Sequence, residues 1–259
     1  MISIITPTLN SAKYLRQTIL SIKSQCTNYD IEHIVVDGGS TDETKVIVVR
    51  EGISKFFLLN GSSMYEAIDF GFRQSSGKIL CWLNSDDLFV PDTVNIVCDY
   101  FSQNEKTEII TGSTIYINDL GNDLYKYKFS KVPENIFRSF GTLFLCQPST
   151  FWRRETYLNT GGLNLSYKIT ADRDFIFRAT EKNKLEYVNH VLSKFRFHGE
   201  NLSKTKAQLA KEENDLINKK LGVGPTTVVK KIFSIAGHLY IKANNPAMIF
   251  WKLRNLSKL

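Results

Sequence analysis

The sequence lacks long hydrophobic runs and clustered cysteines. No apolar stretch approaches the roughly 20 residues that a membrane-spanning helix needs, and the first ten residues lack the basic flank of a secretory signal peptide. The four cysteines form no CxxC pair or Cys/His cluster, which argues against a zinc site and fits a reducing cytosol. We therefore expect a cytoplasmic protein, soluble or peripheral on the inner face of the cytoplasmic membrane.

Glycine-rich phosphate-binding loops are absent as well. The chain contains neither GxGxxG nor GxxxxGKS/T, so a dinucleotide-binding fold and a phosphate loop are not indicated. A nucleotidyltransferase usually carries a glycine-rich, basic loop after its first strand, whereas residues 6–10 contain neither glycine nor base. That enzyme class is therefore the less favoured alternative.

Acidic residues are absent after Asp215. Eight basic residues follow it, whereas residues 1–215 hold 25 basic and 26 acidic side chains. Residues beyond Pro225 predict two amphipathic helices broken at 244–246. Such a basic tail is typical of a helix lying on an anionic membrane surface, although the same helices could pack on the body or on a second subunit. Nucleic acid is not an expected partner, because the body is neutral and shows no recognition module.

Strand and helix signals alternate through the first half of the chain. Strands are predicted at 2–6, 31–36, 56–59 and 79–83. Helices are predicted after each, with Asn10 or Ser11 capping the first and Thr41 or Asp42 capping the second. The alternation predicts an α/β fold with a mostly parallel sheet flanked by helices. The second half is more mixed, with strands predicted at 108–118, 124–129, 150–153 and 187–197 and a helix at 170–182.

Polar residues follow three of the predicted strands, at 6–10, 37–40 and 84–87. Ligands bind at the carboxyl ends of the strands in such sheets, so these segments should converge on one edge. Asp86 and Asp87, beside Asn84, offer oxygen ligands for a hard cation that would bridge the phosphates of a nucleotide diphosphate. The simpler interpretation of an Asp-Asp pair is a solvated turn.

Two acidic residues open the helix predicted at 170–182. Asp172 and Asp174 suit a helix N-terminus on electrostatic grounds alone, but either one could also serve as a general base for an attacking hydroxyl. His198 follows the last predicted strand and is a candidate metal ligand or phosphate contact, although an isolated histidine is more often structural. Spacing alone does not decide among these roles.

Together these segments resemble the family 2 glycosyltransferases of the GT-A fold, the inverting enzymes of bacterial polysaccharide and lipid-linked sugar assembly. The resemblance spans about residues 1–200 in the family's order, and any one motif is weak while the ordered set is specific. It is carried by the segments at 6–10, 35–42, 83–87 and 170–178, with weaker support at 65–71 and 147–151.

The resemblance implies a role for each matching residue. Asp172 would be the catalytic base, and Asp86 with His198 would hold Mn²⁺ or Mg²⁺. Arg178 would be either structural or a diphosphate contact. The full set implied to contact the substrate or nucleotide is Thr6, Pro7, Thr8, Asn10, Asp37, Gly39, Tyr65, Asn84, Ser85, Asp87, Gln147 and Arg178.

The implied reaction is metal-dependent transfer of a sugar, with inversion, from a nucleotide-diphosphate sugar to a hydroxyl of a saccharide or polyprenyl-linked saccharide. A UDP-sugar is the first expectation, and the biological setting would be polysaccharide, lipopolysaccharide or capsule synthesis. On this basis residues 1–221 form the GT-A domain, with a nucleotide-sugar half at 1–103 and an acceptor half at 104–221. Residues 222–259 form a basic helical extension.

Three positions depart from the family pattern. Asn84 stands where many members have the first Asp of a DxD motif, and Ala171 stands where an acidic residue often precedes the base. Residues 59–64, before the tyrosine at 65, lack the acidic Glu-x-Asp-x-Gly stretch of relatives. The last departure supports a second interpretation, in which the chain is an inactive, nucleotide-sugar-binding partner subunit.

Overall fold

The structure of the protein is a computed structural model. It describes residues 1–129, 138, 145–224 and 228–254, with the backbone alone at residue 203 and residues 228–234. In this part of the chain, nine strands form one sheet: β1 Ile2–Thr8, β2 Ile31–Asp37, β3 Lys55–Leu58, β4 Ile79–Trp82, β5 Leu88–Phe89, β6 Ile109–Ile117, β7 Asp123–Tyr127, β8 Thr150–Arg153 and β9 Leu185–Arg196.

The sheet has the order β3-β2-β1-β4-β8-β6-β9-β5, and β7 also pairs with β6. The strands β3, β2, β1 and β4 are parallel to one another, and β9 is parallel to β6. Strand β8 runs antiparallel to both β4 and β6, so β6 and β9 point in the same direction as β4. The carboxyl ends of β1, β2, β4, β6 and β9 therefore all meet at one edge of the sheet, as the α/β prediction requires.

Alternate residues of the central strands point to opposite faces, and helices cover both faces. Ile5 packs in a core with Phe72 and Phe175, whereas its neighbour Ile4 packs in a second core with Val97. The helices are α1 Leu15–Lys23, α2 Thr44–Arg50, α3 Met64–Gln74, α4 Thr93–Gln103, α5 Arg154–Asn159, α6 Ala171–Lys182, α7 Leu202–Thr205, α8 Ala207–Leu221, α9 Val228–Asn244 and α10 Pro246–Arg254.

The predicted caps of the first helix are wrong, and that of the second is right only in part. Helix α1 begins at Leu15 and α2 at Thr44, each directly after a residue that makes no side-chain cap, but Asp42 Oδ1 accepts from the Thr44 N–H at 3.0 Å. The polar side chains also connect the two loops, because Asn10 Oδ1 accepts from the Thr41 N–H at 2.9 Å and Asp42 Oδ2 from the Ala12 N–H at 3.0 Å. Their competition for backbone groups, which made them look like caps, here joins the loops after β1 and β2.

The two C-terminal helices pack on the body through one face. Ile241 lies in a small core with Phe129, and the Asn245 amide bonds both the N–H and the carbonyl of Lys128 at 2.6 and 3.1 Å. Trp251 stacks against Tyr125, with ring centroids 5.3 Å apart. Body packing, which the sequence had left as an alternative, is therefore present. Among the described residues, no helix has both the length and the hydrophobicity needed to cross a bilayer.

Candidate active site

The polar segments after β1, β2 and β4 meet at the carboxyl edge of the sheet and are bonded to one another. Asp37, at the end of β2, is buried and accepts hydrogen bonds from the backbone N–H and the hydroxyl of Ser40. Ser40 Oγ accepts in turn from the Asn10 N–H at 2.8 Å. Ser85, after β4, is bonded to the Ser11 hydroxyl at 2.8 Å. The predicted convergence of these three loops is confirmed.

Pro7 and Thr8 are the last two residues of the central strand β1, at the carboxyl edge of the sheet. The ladder between β1 and β4 stops where the Leu83 N–H bonds the Ile5 carbonyl, so Pro7 needs no N–H on that side. The Thr8 hydroxyl is buried and has no hydrogen-bond partner in the described part of the chain. Thr6 is different, because its side chain is buried and bonds His33 Nε2 at 2.9 Å, away from the loops. Burial lowers the pKa of His33 to about 4, so this histidine is neutral.

Gly39 lies in the loop after β2 at a position that requires glycine. Its φ is +106°, and a Cβ would approach Asn60 Oδ1 to 3.0 Å. The Gly61 N–H also bonds the Gly38 carbonyl at 2.9 Å. The segment at 59–64, which has no acidic residue, therefore lies directly against the β2 loop, with the Asn60 amide side chain next to Gly39.

Asp86 and His198 form a side-chain pair that joins two distant parts of the chain. His198 Nε2 lies 2.9 Å from Asp86 Oδ2. His198 Nδ1 accepts a hydrogen bond from the Glu200 N–H at 3.2 Å, so in the neutral ring the proton sits on Nε2 and is donated to Asp86. The Asp86 side chain is 25% exposed. The Glu200 N–H therefore fixes the orientation of the His198 ring, and the Asp86 carboxylate is partly exposed to solvent.

Asp87 stabilises the same turn from the interior of the protein. It is buried, and its Oδ1 accepts from the Arg196 N–H at 2.9 Å, while Asn84 Nδ2 lies 3.4 Å from its Oδ2. Burial, with the nearby Asp86 charge, raises the pKa of Asp87 well above its usual range. The Asn84 side-chain amide oxygen, Oδ1, is buried without a partner in the described region. Asp87 thus supports the turn, and Asn84 retains an unused acceptor.

Asp172 opens helix α6, as predicted, and lies beside the first turn of α3. Its Oδ1 accepts from the Tyr65 hydroxyl at 3.0 Å and from the Arg173 N–H at 2.8 Å. No described residue bonds its Oδ2. Burial raises the pKa of Asp172, an effect that these hydrogen bonds and the Arg173 charge oppose. One oxygen is therefore fixed by the protein, and the other has no hydrogen-bond partner among the described residues.

Asp174 is not equivalent to Asp172. It is fully buried, and its Oδ2 lies 2.7 Å from Arg178 in an ion pair. Arg178 also donates to the carbonyls of Thr160 and Gly162. It lines a cleft with Lys182 at the opposite edge of the sheet. Arg178 is therefore not brought to the candidate site, and its contacts join α6 to the loop after α5.

Gln147 and Tyr65 reach the site from two further elements. Gln147 Nε2 donates to the Trp82 carbonyl at 2.8 Å, which places Gln147 at the end of β4. Tyr65 belongs to α3 and is buried in the core, with its hydroxyl at the Ile169 carbonyl and Asp172. The structure thus sets Tyr65 beside the carboxylate that opens α6.

Three residues at the site, Tyr14, Arg196 and Glu213, are not among the site residues that the sequence predicted. Arg196 is fully buried beside Asp86, and its guanidinium lies 4.5 Å from the Tyr14 ring centroid. Glu213, buried on α8, accepts from the N–H groups of residues 168–170 and so holds the segment before Asp172. No local pattern marks these roles, because each depends on partners that are more than 40 residues away.

A family model described as Glycosyl transferase family 2 matches residues 3–162, more than half of the chain. The chain belongs to glycosyl transferase family 2. It is 29% identical over 216 residues to a PGL/p-HBAD biosynthesis glycosyltransferase of Mycobacterium bovis, covering 77% of this chain and 78% of the relative. It is 28% identical over 230 residues to an uncharacterised glycosyltransferase of Rickettsia prowazekii, covering 83% and 70%. The protein is a glycosyltransferase, as predicted.

Solved structures show the same fold. The mannosyltransferase PcManGT from Pyrobaculum calidifontis, in complex with GDP-Man and Mn²⁺, aligns over 99% of this glycosyltransferase and 75% of its own chain at a TM-score of 0.64 and 16% identity. TarS 1–349 of S. aureus in complex with UDP aligns over 85% and 70% at 0.60 and 19%. The chain spans only 42% of a longer TarS chain. The predicted GT-A fold is confirmed.

The residues of this glycosyltransferase fit a divalent ion that arrives together with a substrate. Asp86 offers a carboxylate, His198 an imidazole whose Nε2 would lose its proton and its hydrogen bond to Asp86 on binding a metal, and Asn84 an unpartnered, buried side-chain amide oxygen. The described residues contain no group of three or more His, Cys, Asp or Glu side chains that could hold a metal by themselves. Mg²⁺-type ions are commonly held by one or two carboxylates plus substrate phosphates, so the small donor set is sufficient for that mode.

Proposed function

We propose that the protein transfers a sugar, with inversion, from a nucleotide-diphosphate sugar to a hydroxyl of a saccharide or lipid-linked saccharide, and that it requires Mn²⁺ or Mg²⁺. One arrangement carries the proposal. The open Asp86–His198 pair and the free Asp172 oxygen both lie at the edge where the strands β1, β2 and β4 end. A diphosphate leaving group and an attacking hydroxyl need these two functions in one cleft.

The nucleotide would bind over the joined loops after β1 and β2. The buried Asp37 and the glycine at 39 would let ribose or base atoms approach the backbone closely, and Thr8 offers an unpaired hydroxyl nearby. Among the structural neighbours, TarS binds UDP and UDP-GlcNAc and PcManGT binds GDP-Man. These complexes support a nucleotide-sugar donor, and we take a UDP-sugar as the first candidate.

In this proposal Asp86 and His198 would hold the metal ion. The bound ion would neutralise charge on the departing diphosphate, which is Lewis-acid assistance to the leaving group. Asn84 would stand beside the sugar and diphosphate, with Asp87 supporting the turn beneath them. The Asp86–His198 hydrogen bond holds the two side chains next to each other before the substrate arrives, and the ion would replace the shared proton between them.

Asp172 would act as the general base. Its Oδ2 would take the proton from the acceptor hydroxyl as that oxygen forms a bond to the anomeric carbon and the bond to the diphosphate breaks. Attack in one step from the face opposite the diphosphate gives inversion, through an oxocarbenium-like transition state. The Tyr65 hydrogen bond fixes the direction of the carboxylate. Burial raises the pKa of Asp172, which makes it a stronger base than an exposed aspartate.

A lipid-linked acceptor would agree with the outer face of the C-terminal helices. Large apolar side chains on that face are exposed, at 63% for Ile235, 61% for Leu239, 70% for Phe250 and 61% for Leu253. Lys242, Lys252 and Arg254 are exposed on the same helices. Exposed apolar and basic side chains on one pair of helices suit an anionic membrane interface. We propose that this face docks the enzyme at the membrane where such an acceptor resides.

A second candidate function rests on residues 59–64. This segment has no carboxylate, and Asn60 lies against Gly39. If a carboxylate is required for donor binding, the chain would be an inactive partner subunit. The nucleotide titration below shows whether the donor site still binds nucleotide, and turnover separates a nucleotide-binding but inactive subunit from the enzyme.

The test is calorimetric titration with UDP, GDP, CDP and dTDP, each with and without Mn²⁺. We expect one nucleotide to bind in a metal-dependent manner to the wild type, and Asp86→Asn to lose the metal-dependent part. Asp99→Asn is the matched control, because Asp99 is an exposed carboxylate on α4 that bonds only Tyr29. Absence of binding by a folded wild-type sample would favour the inactive-subunit candidate.

A further inference from the structure

A buried guanidinium lies behind the proposed metal pair. Arg196 is the last residue of β9, two positions before His198, and its side chain is fully buried. Burying a charge is costly unless its hydrogen bonds are made inside the protein. The partners of Arg196 therefore indicate why the charge is there.

Arg196 holds the Asp86-Asp87 turn at two points. Its Nε donates to the Asp86 carbonyl at 2.9 Å, and its backbone N–H donates to Asp87 Oδ1 at 2.9 Å. The first bond fixes the peptide that carries Asp86, and the second ties the turn to β9. His198 follows two residues after Arg196 at the end of the same strand. Arg196 is therefore connected to both residues that are proposed to hold the metal.

The remaining donors connect the turn to two further elements. Nη1 donates to the carbonyls of Asn118 and Asp119 at 3.2 and 3.0 Å, in the turn between β6 and β7. Nη2 donates to Gln17 Oε1 on α1 at 2.7 Å. The guanidinium also lies against the Tyr14 ring, whose centroid is 4.5 Å away. Three segments, namely β9, the turn between β6 and β7, and the start of α1, are thus fixed relative to the Asp86-Asp87 turn.

None of these acceptors is charged. Across the described residues no ion pair involves Arg196; its guanidinium bonds go to carbonyl and amide oxygens. Its positive charge is therefore not cancelled by direct contact. In a buried setting such a charge acts strongly on groups nearby, among them Asp86 and a bound diphosphate.

We propose that Arg196 is a positioning residue that aims Asp86 and His198 at the metal–diphosphate unit and supplies a fixed positive charge behind it. The inference rests on the proposed function, because it concerns the metal and nucleotide of that same site. Loss of groups that orient metal ligands typically lowers metal affinity by about 10–100-fold. Lysine keeps the charge but has no planar fork to hold Asp86, Asn118 and Gln17 together.

The experiment measures Mn²⁺ affinity in the presence of the nucleotide diphosphate that the wild type binds, by titration followed through the Mn²⁺ electron paramagnetic resonance signal. We expect Arg196→Lys to weaken Mn²⁺ binding by about 10–100-fold. The matched control is Arg153→Lys. Arg153 also stacks on an aromatic ring, Phe101 at 5.0 Å, and bonds backbone carbonyls, but it lies at the opposite edge of the sheet. The control should keep wild-type affinity.

A milder variant covers the case in which Arg196→Lys does not fold. Gln17 is exposed, so Gln17→Ala removes one acceptor from the guanidinium without opening the core. We expect it to weaken Mn²⁺ binding by about three- to tenfold, the range for one hydrogen bond. Wild-type Mn²⁺ affinity in folded Arg196→Lys, or in Gln17→Ala when the former is unfolded, overturns the positioning role. Failure of the wild type to bind Mn²⁺ with any nucleotide overturns the proposed function itself.

Discussion

At the scale of single residues, two opposing effects act on the pKa of Asp172. Burial raises its pKa, whereas the Tyr65 hydroxyl, the Arg173 N–H and the Arg173 charge stabilise the carboxylate and lower it. A general base must be deprotonated when it acts, so turnover falls as the pH drops through this pKa. The position of that acid limb therefore reports on the balance at Asp172.

Tyr65→Phe should move the acid limb of the pH–kcat profile to higher pH. The substitution removes the hydrogen bond that favours the charged form, so the pKa of Asp172 rises further and the base is protonated at a higher pH. The measurement is kcat against pH for the wild type and the variant.

Tyr157→Phe provides the comparison for this shift. Tyr157 is equally buried, and its hydroxyl donates to Asp69 at 2.6 Å without contacting Asp172. It should lose stability comparably and leave the limb in place. An unmoved limb in Tyr65→Phe, or an equal shift in both variants, would show that Tyr65 does not tune the base.

The sequence identifies some site residues and not others, for a physical reason. Asp86 and Asp172 stand in segments that resemble family motifs, and His198 follows the last predicted strand; each contributes its own chemistry. Arg196 and Glu213 act through contacts with residues 40 to 180 positions away, which no local spacing records. The difference between Asp172 and Asp174, adjacent carboxylates in one helical turn, likewise appears only when their partners are known.

At the scale of elements, the hydrophobic pattern predicts those strands and helices that bury a continuous face. Strand β2 is buried along most of its length and matches the prediction at 31–36 within one residue. Helix α3 buries Tyr65, Ile68 and Phe72 at helical spacing and follows the third strand, as predicted. Helices α5, α7 and α8 were not predicted. Helix α8 buries only Glu213 and Ile217 among its 15 residues, so its apolar periodicity is too weak to mark a helix.

The two C-terminal helices present different faces to the body and to solvent. Ile241, Asn245 and Trp251 contact the body, while Phe250 and Leu253 are exposed. The sequence predicted both helices and their break at Pro246 but left the packing open. Periodicity identifies an apolar face without identifying its partner.

Charge reversal on these helices should abolish binding to anionic vesicles. The triple variant Lys242→Glu, Lys252→Glu and Arg254→Glu should partition at least about 100-fold more weakly onto phosphatidylglycerol-containing vesicles in sedimentation assays, since each basic residue contributes about 1 kcal/mol. Binding of the wild type should weaken with added salt.

The control carries the same charge change on α8, at Lys211, Lys219 and Lys220, which are exposed there. This variant should bind vesicles nearly as the wild type does. Equal loss in both triple variants would mean that net charge rather than the proposed face drives binding. No vesicle binding by the wild type would remove the membrane proposal and leave the catalytic one intact.

At the scale of the whole molecule, the mixed sheet brings the two chemical functions together. Asp86 follows a parallel strand in the first half of the chain, whereas Asp172 and His198 come from the second half. Strand β8 runs antiparallel between β4 and β6 and so points the two sets of strands the same way. The α/β class was predictable from alternation, but the placement of β8 and the edge strand β5 was not, because both are short and pair with distant partners.

The most direct test of the account is turnover by Asp172→Asn. The measurement is release of nucleotide diphosphate from nucleotide sugars carrying the nucleotide that binds in the titration, alongside donor affinity. We predict near-normal donor binding and a fall in kcat of about 10²–10⁴-fold, the range for loss of a general base. Asp174→Asn should lower stability by breaking the Arg178 pair and keep most of the activity. Wild-type turnover in Asp172→Asn would contradict the account, because the proton would then have another acceptor.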